Sequence, residues 1–423
     1  MLKKSIMALT TLVAITCGAQ YLSHSQYRQQ VKQIVADFNQ QNEWQLNQTV
    51  LSSNWFQQQE QWQLTGNLSQ LGLDPQPIEL HVIQQVSIWP LWLEGKWQVD
   101  PEQASYQQWL SDLNLTAVPH LGTWQANLLS QKLQQQLRVD SFEHNYTELA
   151  LSFKPMSIST VSDLSFQQGE ATLSWQGMEL LDSQQNGDHI HLGKVEASET
   201  FSQRQQWTLV ENASWSVEQL RLQLGQGETL LKLQNLSVNN SFSEIKQNAY
   251  LSLNTELNSF ILREGAEVFQ LDQLILRSSL GGVPMQSLIQ LAQSKYTSLS
   301  SDERDVLVQQ AVSNGIEWQL DTLMFEVDSS YNSLPLQGDI NLAGKAKLLP
   351  FELDQVSRPI QLLRYIDLNL VIDVGDQLFN QSPLSAYILA LRNAGYLLHE
   401  EGRDRSELIF NDNEFTMNSM PVN

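Results

Sequence analysis

Seven histidines, one cysteine and a surplus of carboxylates are the raw material for chemistry in this 423-residue chain. His189 and His191 stand two apart, so on a strand they share a face, and Asp188 or Glu196 could complete a metal site there. A solvated strand face accounts for the same pair without a metal. No HExxH, CxxC, EF-hand loop, Walker loop or Gly-x-Ser-x-Gly elbow occurs. Ser243-Glu244-Ile245-Lys246 has the Ser-x-x-Lys spacing of penicillin-recognising enzymes, but it falls where the pattern reads as loop or strand, not at a helix start. Glu400, Glu401 and Asp404 read as a solvated loop rather than a cation site. Trp44, Trp55, Trp62, Trp89, Trp92, Trp97 and Trp109 crowd roughly the first quarter of the chain. On a sheet such rings line a glycan or lipid groove, or else form ordinary β-core. The expectation is a protein that is not an enzyme, with no catalytic, cofactor-binding or metal-binding residues and no cofactor.

The bulk numbers narrow the partners. With 24 basic against 46 acidic residues the formal net charge is −22, a field that repels phosphates and argues against nucleic acid. Cys17 is the only cysteine and lies in the first hydrophobic stretch, so the body beyond it can form no disulfide and no thiolate site.

Lys3 and Lys4 precede an uncharged run from Ser5 to Leu22, the pattern of an export signal with the lysines kept in the cytoplasm. Residues 1–24 are read as a signal-anchor or transmembrane helix; cleavage after Ala19, leaving a soluble periplasmic protein, is the alternative. Val31, Ile34, Val35 and Phe38 fall at helical spacing, so 25–42 is read as an amphipathic stalk helix.

From 43 to 280 the dominant period is two, as in Ile78, Leu80 and Val82 or Leu251 and Leu253, with turn residues between the runs. This stretch is expected to be a β-rich periplasmic body of half-buried antiparallel strands. A short element recurs within and just beyond it: a polar residue, Leu, any residue, then an apolar one. It appears at Asp163, Gln219, Asn235, Gln273 and Thr322 at irregular separations, as duplicated strands or chance matches would produce. Residues 281–315 read as a helical hairpin, with Pro284 in a first turn, Ser300 and Glu303 as a capping box and Gly315 as a stop. Residues 316–423 read as a C-terminal α+β unit. Its helix starts at Ser382-Pro383, carries Leu384, Ile388 and Leu391 as a stripe and stops at Gly395. The unit ends in a β-hairpin across Asn411-Asp412-Asn413. The fold class is therefore mainly β (α+β), a long antiparallel sheet body with a few helices packed on it and an N-terminal membrane helix.

The strand LNLVIDVGDQLF, the capped helix and the closing stretch GYLLHEEGRDRSELIFNDNEFTMNSMPVN together resemble the end of the YdgA-like (YdgA/YihF) family of proteobacterial envelope proteins of unknown function. Asn418-Ser419 stands where that family usually has an Asn-Gly turn. Ile78 to Trp92, IELHVIQQVSIWPLW, is similar to the family's strand and following Pro-Leu segment. The resemblance implies a single-pass bacterial inner-membrane anchor, a body in the periplasm and no defined catalytic residues. The function expected is non-enzymatic binding or scaffolding in the cell envelope, with a lipid or an envelope protein as partner. Lipid or hydrophobic-ligand binding or transfer along an amphipathic sheet is the alternative, and a periplasmic hydrolase stands behind both. Edge strands on so large a sheet also allow a homo-oligomer.

Overall fold

The computed structural model describes residues 2–41, 44–67, 77–112, 115–145, 149–182, 187–204, 207–225, 228–294, 301–331, 334–353, 359–380 and 385–422. The protein is mainly β, antiparallel throughout its described pairings, with few helices. It divides into two compact units: residues 1–146 with 151–176, and residues 147–150 with 177–423. The body expected at 43–280 is thus split between the units. The boundary expected at 280 falls inside a strand, because the sheet of the second unit resumes beyond the two helices.

The first unit opens with helix α1 (Leu2–Gln41), which joins the expected anchor and stalk in one continuous element. Among the described residues no helix is long and apolar enough to cross a membrane; the side chains of residues 1–14, most of the expected anchor, lie outside them. The stretch read as a stalk is not free. Tyr27 and Val31 are buried among Val86, Ile88, Leu93, Ala126 and Leu133. The strands beneath are β1 (Gln45–Ser53), β2 (Gln57–Asn67), β3 (Pro77–Trp89), β4 (Trp92–Val99), β5 (His120–Asn127) and β6 (Lys132–Val139). Helix α2 (Ala104–Asp112) fills the connection between β4 and β5, and β7 (Phe142–Asn145) and β8 (Leu149–Phe153) follow β6. Strands β9 (Met156–Asp163) and β10 (Gln168–Trp175) extend the sheet from β6, giving the order β1-β2-β3-β4-β5-β6-β9-β10. Two glycines make room for its large rings. Gly95 lies opposite Trp124 and Gly122 opposite Trp97, and a Cβ at either would fall inside the facing indole. Each ring can therefore lie flat on the neighbouring strand, and Tyr27 stacks on Trp124 with centroids 5.9 Å apart.

The second unit holds β11 (Met178–Asp182), β12 (His189–Leu192), β13 (Val195–Arg204), β14 (Trp207–Leu224), β15 (Thr229–Ile245), β16 (Asn248–Glu264) and β17 (Glu267–Pro284). After helices α3 (Met285–Ser294) and α4 (Ser301–Val312) come β18 (Ile316–Tyr331), β19 (Leu334–Leu348) and β20 (Ile366–Gly375). Short helices α5 (Gln377–Asn380) and α6 (Ser385–Asn393) precede β21 (Leu398–Glu400), β22 (Arg403–Asn411), β23 (Glu414–Met417) and β24 (Met420–Pro421). Pairing runs from β14 through consecutive strands to β20 and then β22, with β12 and β13 sharing one edge of β14. Pro284 ends β17 rather than starting α3. The expected helix starts at Ser300 and at Ser382 to Leu384 lie outside the described residues.

The recurring polar-Leu-x-apolar element marks a break in phase across this sheet. Residues directly opposite one another in a ladder share a face. Along β18 the odd residues 323, 325 and 327 point one way, so their partners Leu276 and Leu271 on β17 share that face although they are five apart. Alternation must therefore reset between them, and Gln273 there is left-handed, with φ 55°. Asn235 on β15, φ 51°, sits in the same row, opposite the equally unpaired Asn258 and Glu218. The reset keeps Leu220, Leu233 and Phe260 on the same face as Val217, Leu236 and Leu257. Of the five occurrences of the element, those at Gln219, Asn235, Gln273 and Thr322 lie at or beside such a break. The one at Asp163 lies in the β9–β10 turn.

The closing segment forms the expected hairpin. Asp412-Asn413 and Asn418-Ser419 are both two-residue turns with left-handed backbone at each position, so Ser419 serves where glycine is easier. One expectation fails here. Asp404 is not solvated: it is 1% exposed and binds the Arg392 guanidinium of α6 through two 2.6 Å bonds and the His399 ring at 3.1 Å. Glu400 and Glu401 are exposed, as expected. Burial alone would raise the Asp404 carboxyl, but the hydrogen bonds and charges of Arg392 and His399 hold it below the ordinary carboxylate range. Its folded value being depressed, the stability it contributes is complete above the unfolded value near pH 3.9 and is lost as pH falls through the folded one. Asp404→Asn is expected to cost about 3 kcal/mol at neutral pH and to flatten the acid limb of stability, read from denaturant midpoints between neutral and acidic pH.

Candidate functional site

The first unit contains a cavity of about 380 Å³ between α1 and the sheet. Tyr27, Val31 and Ile34 of α1 form one wall, and Trp62, Trp97 and Trp124 form the other. Its size and mainly apolar lining are those of a small-ligand site. Beside it lies a fully buried carboxylate, Glu60. The Tyr27 hydroxyl reaches both its oxygens at 2.8 Å, Gln58 Nε2 donates at 2.6 Å, Trp62 Nε1 at 2.9 Å and Gln84 Nε2 at 3.2 Å. All four donors are neutral. Burial, then the Glu60 charge and hydrogen bond, hold the Tyr27 hydroxyl protonated far above the ordinary phenol range. The arrangement fixes α1 to β2 and β3.

The second candidate is the common face of the second unit's sheet. Leu222, Leu231, Leu262 and Phe269 form one row across β14 to β17; Leu220, Leu233, Phe260, Leu271 and Val327 form the next. Beyond the phase break come Val217, Leu236, Leu257 and Leu274, then Trp215, Val238, Thr255, Leu276 and Leu323. Only Val327 and Leu257 of these are buried; Trp215, Leu262 and Phe269 are 45%, 41% and 42% exposed, and most of the others are half-buried. At the β18–β20 margin α5 covers the face, burying Leu378 against Val327 and Val374.

The histidine pair is brought to a third carboxylate, not to either expected one. Glu179 on β11 lies opposite His191, and its Oε1 is 2.9 Å from His189 Nε2. Donor atoms of all three residues lie within 4.8 Å of one another. Asp188 instead accepts the Gly225 amide at 2.8 Å, and Glu196 pairs with Lys194 at 2.6 Å. Two histidines and a carboxylate are donors that suit zinc. Arg221, however, lies directly opposite His191 on β14, its guanidinium bonded to Gln223 at 2.6 Å, and sets a like charge beside any cation. Ser243 to Ile245 end β15, and Lys246-Gln247 form a hairpin turn, so the Ser-x-x-Lys match has no helix under it.

The early tryptophans divide. Trp62 and Trp97 line the cavity beside the later Trp124, Trp44 packs over Gly66, Trp92 is half-buried at the start of β4, and Trp55 and Trp89 are half-exposed at turns; the Trp109 side chain lies outside the described residues. Gln58, Glu60 and Gln84 were missed by period-two reading because they are polar residues on a buried face. Only the shared parity of Gln58, Glu60 and Trp62 in QQQEQW hinted at them.

As a class, this is a mainly antiparallel β protein with a ring-lined cavity in its first unit and a leucine-rich sheet face in its second. The chain belongs to the bacterial family of unknown function DUF945, which matches residues 2–422. No curated protein and no solved structure matches it.

Tyr27→Phe, which removes the one hydroxyl proton shared between the two Glu60 oxygens, is expected to lower stability by about 1–3 kcal/mol in thermal or denaturant unfolding. Zinc is expected to stabilise the wild type little and Arg221→Gln measurably more, with the gain abolished by His191→Ala, as read by thermal shift.

Proposed function

We propose that this protein is a non-enzymatic binder of acyl chains in the bacterial cell envelope, tethered to the inner membrane by α1 with its body in the periplasm. Within DUF945 we place it with the YdgA-like group on its C-terminal layout. The observation that carries the reading is the open apolar face of β14 to β17. A contiguous patch of this kind marks an interaction surface, since soluble surfaces rarely leave several rows of Leu and Phe half in water. Covering each half-exposed Leu or Phe side chain would gain roughly 1 kcal/mol. The rows run along and across strands of 17 to 18 residues, a length that suits an extended hydrocarbon chain. The cavity of the first unit adds a second apolar space of ligand size.

Native mass spectrometry of the full-length protein released from detergent tests this. Wild type is expected to carry phospholipid or fatty-acid mass on the folded monomer, and Leu262→Glu/Phe269→Glu to lose most of it, about tenfold in occupancy. A lipid-free monomer would overturn the reading. So would a dimer that dissociates in the same double variant, since a second copy would then be what covers the face.

A further inference from the structure

Four turns meet at one end of the first unit's sheet: Asn54–Phe56 between β1 and β2, Pro90–Leu91 between β3 and β4, Leu128–Gln131 between β5 and β6, and Leu164–Gln167 between β9 and β10. Backbone bonds lace them together, Ile88 N to Phe56 O at 2.7 Å, Leu128 N to Leu91 O at 3.0 Å and Leu164 N to Gln131 O at 3.0 Å. None of these turn segments contains Asp, Glu, Lys or Arg, and the charges that flank them, Asp163 and Lys132, are cross-strand partners of opposite sign; the opposite end of the sheet carries Asp100, Glu102 and Asp140, the last paired with Arg138. Their tips are apolar and exposed: Trp55 50%, Phe56 47%, Leu129 76% and Phe166 38%, with Trp89 at 48% just before Pro90.

Helix α1 is clamped to this rim by directional bonds. Gln20 Nε2 donates to Ile88 O at 2.6 Å and to Trp55 O at 2.8 Å; Ser23 Oγ accepts the Leu91 amide at 2.8 Å; a His24 ring nitrogen lies 2.7 Å from Trp55 O. On the open side of the helix at this level Tyr21 and Leu22 are 66% and 55% exposed. Preceding the clamp, the helix sequence is uncharged back to Ser5, with Lys3 and Lys4 beyond. Arg28 and Lys32 follow on the other side, and no acidic residue precedes Asp37 in a chain with 46 of them. An uncharged helical stretch bracketed by cations, with tryptophan, tyrosine and phenylalanine gathered where it meets the body, is the chemistry of a lipid–water interface.

We propose that this rim is seated in the headgroup layer of the bilayer that α1 enters, so that the cavity, to which Leu128, Leu164 and Phe166 of the rim contribute, opens toward lipid. The inference rests on the anchored reading above and adds a defined docking end to it. It also orients the first unit, with the acidic end of its sheet held away from anionic headgroups.

Full-length protein in vesicles of zwitterionic phosphatidylcholine, with or without bromine at the upper acyl positions, tests it by tryptophan emission. Emission is expected to fall by about one sixth in brominated vesicles, the share of Trp55 and Trp89 among 12 tryptophans, and Trp55→Phe/Trp89→Phe to remove more than about half of that fall. A polarity-sensitive dye on Leu129→Cys, in a Cys17→Ser background, is expected to shift blue in the same vesicles and guards against a misfolded double variant. Protein that resists alkaline extraction yet shows neither quenching nor a dye shift overturns the docking and leaves the anchor standing. Protein that alkaline carbonate washes off overturns the anchor, and the docking with it.

Discussion

Partners directly opposite one another in an antiparallel ladder must point the same way, and in the second unit that geometry governs everything else. Strands as long as β14 to β17 alternate strictly only at the risk of accumulating twist, and in β15 and β17 a left-handed residue, Asn235 or Gln273, marks the point where the phase reverses. A reversal in one strand alone would turn half of its leucines away from their neighbours. Asn235, Asn258 and Gln273 lie in one row, so the strands reset together. The apolar face survives because the breaks are in register. The polar face survives with it: Ser216, Ser237, Glu256 and Ile275 stand in one row, and Glu256 reaches Arg277 at 3.4 Å.

The first unit solves a different problem. A helix that is uncharged from Ser5 to Leu22 and only mildly amphipathic beyond has little hydrophobic reason to choose one rotation on a sheet. Glu60 supplies the reason. A buried carboxylate is tolerable only where its lone pairs are met, and Tyr27, Gln58, Trp62 and Gln84 meet them in one arrangement. Gln20 and Ser23 add bonds to backbone groups at the turns. The ring planes over Gly95 and Gly122 then leave the space that becomes the cavity, because flat indoles against a helix of Gln, Tyr, Val and Ile do not fill it. Polar bonds set the geometry, and the apolar surface left over lines the cavity.

Much of this was legible in the residues alone. Alternating Leu, Val and Trp among Gln and Ser can satisfy both water and a core only as antiparallel strands, so the mainly β class follows from local pattern. Gly395, Gly315 and the Asn-Asp-Asn turn punctuate the chain for stereochemical reasons that need no tertiary context, since left-handed backbone favours those residue types. The overall charge, the solitary cysteine and the cation-bracketed N-terminal run likewise belong to the sequence by itself. What only the tertiary structure decided is which face each residue occupies and what it meets there. Period two cannot reveal that the leucines on either side of Gln273 share a face, because the reset lies in a backbone angle. Nor can it place Glu60, Gln84 and Asp404 inside, because polar residues become buried only where partners from distant strands and helices converge on them, as Tyr27 and Arg392 do. The same convergence brings Glu179, rather than Asp188 or Glu196, to the histidine pair, since strand register and not sequence proximity sets which carboxylate arrives.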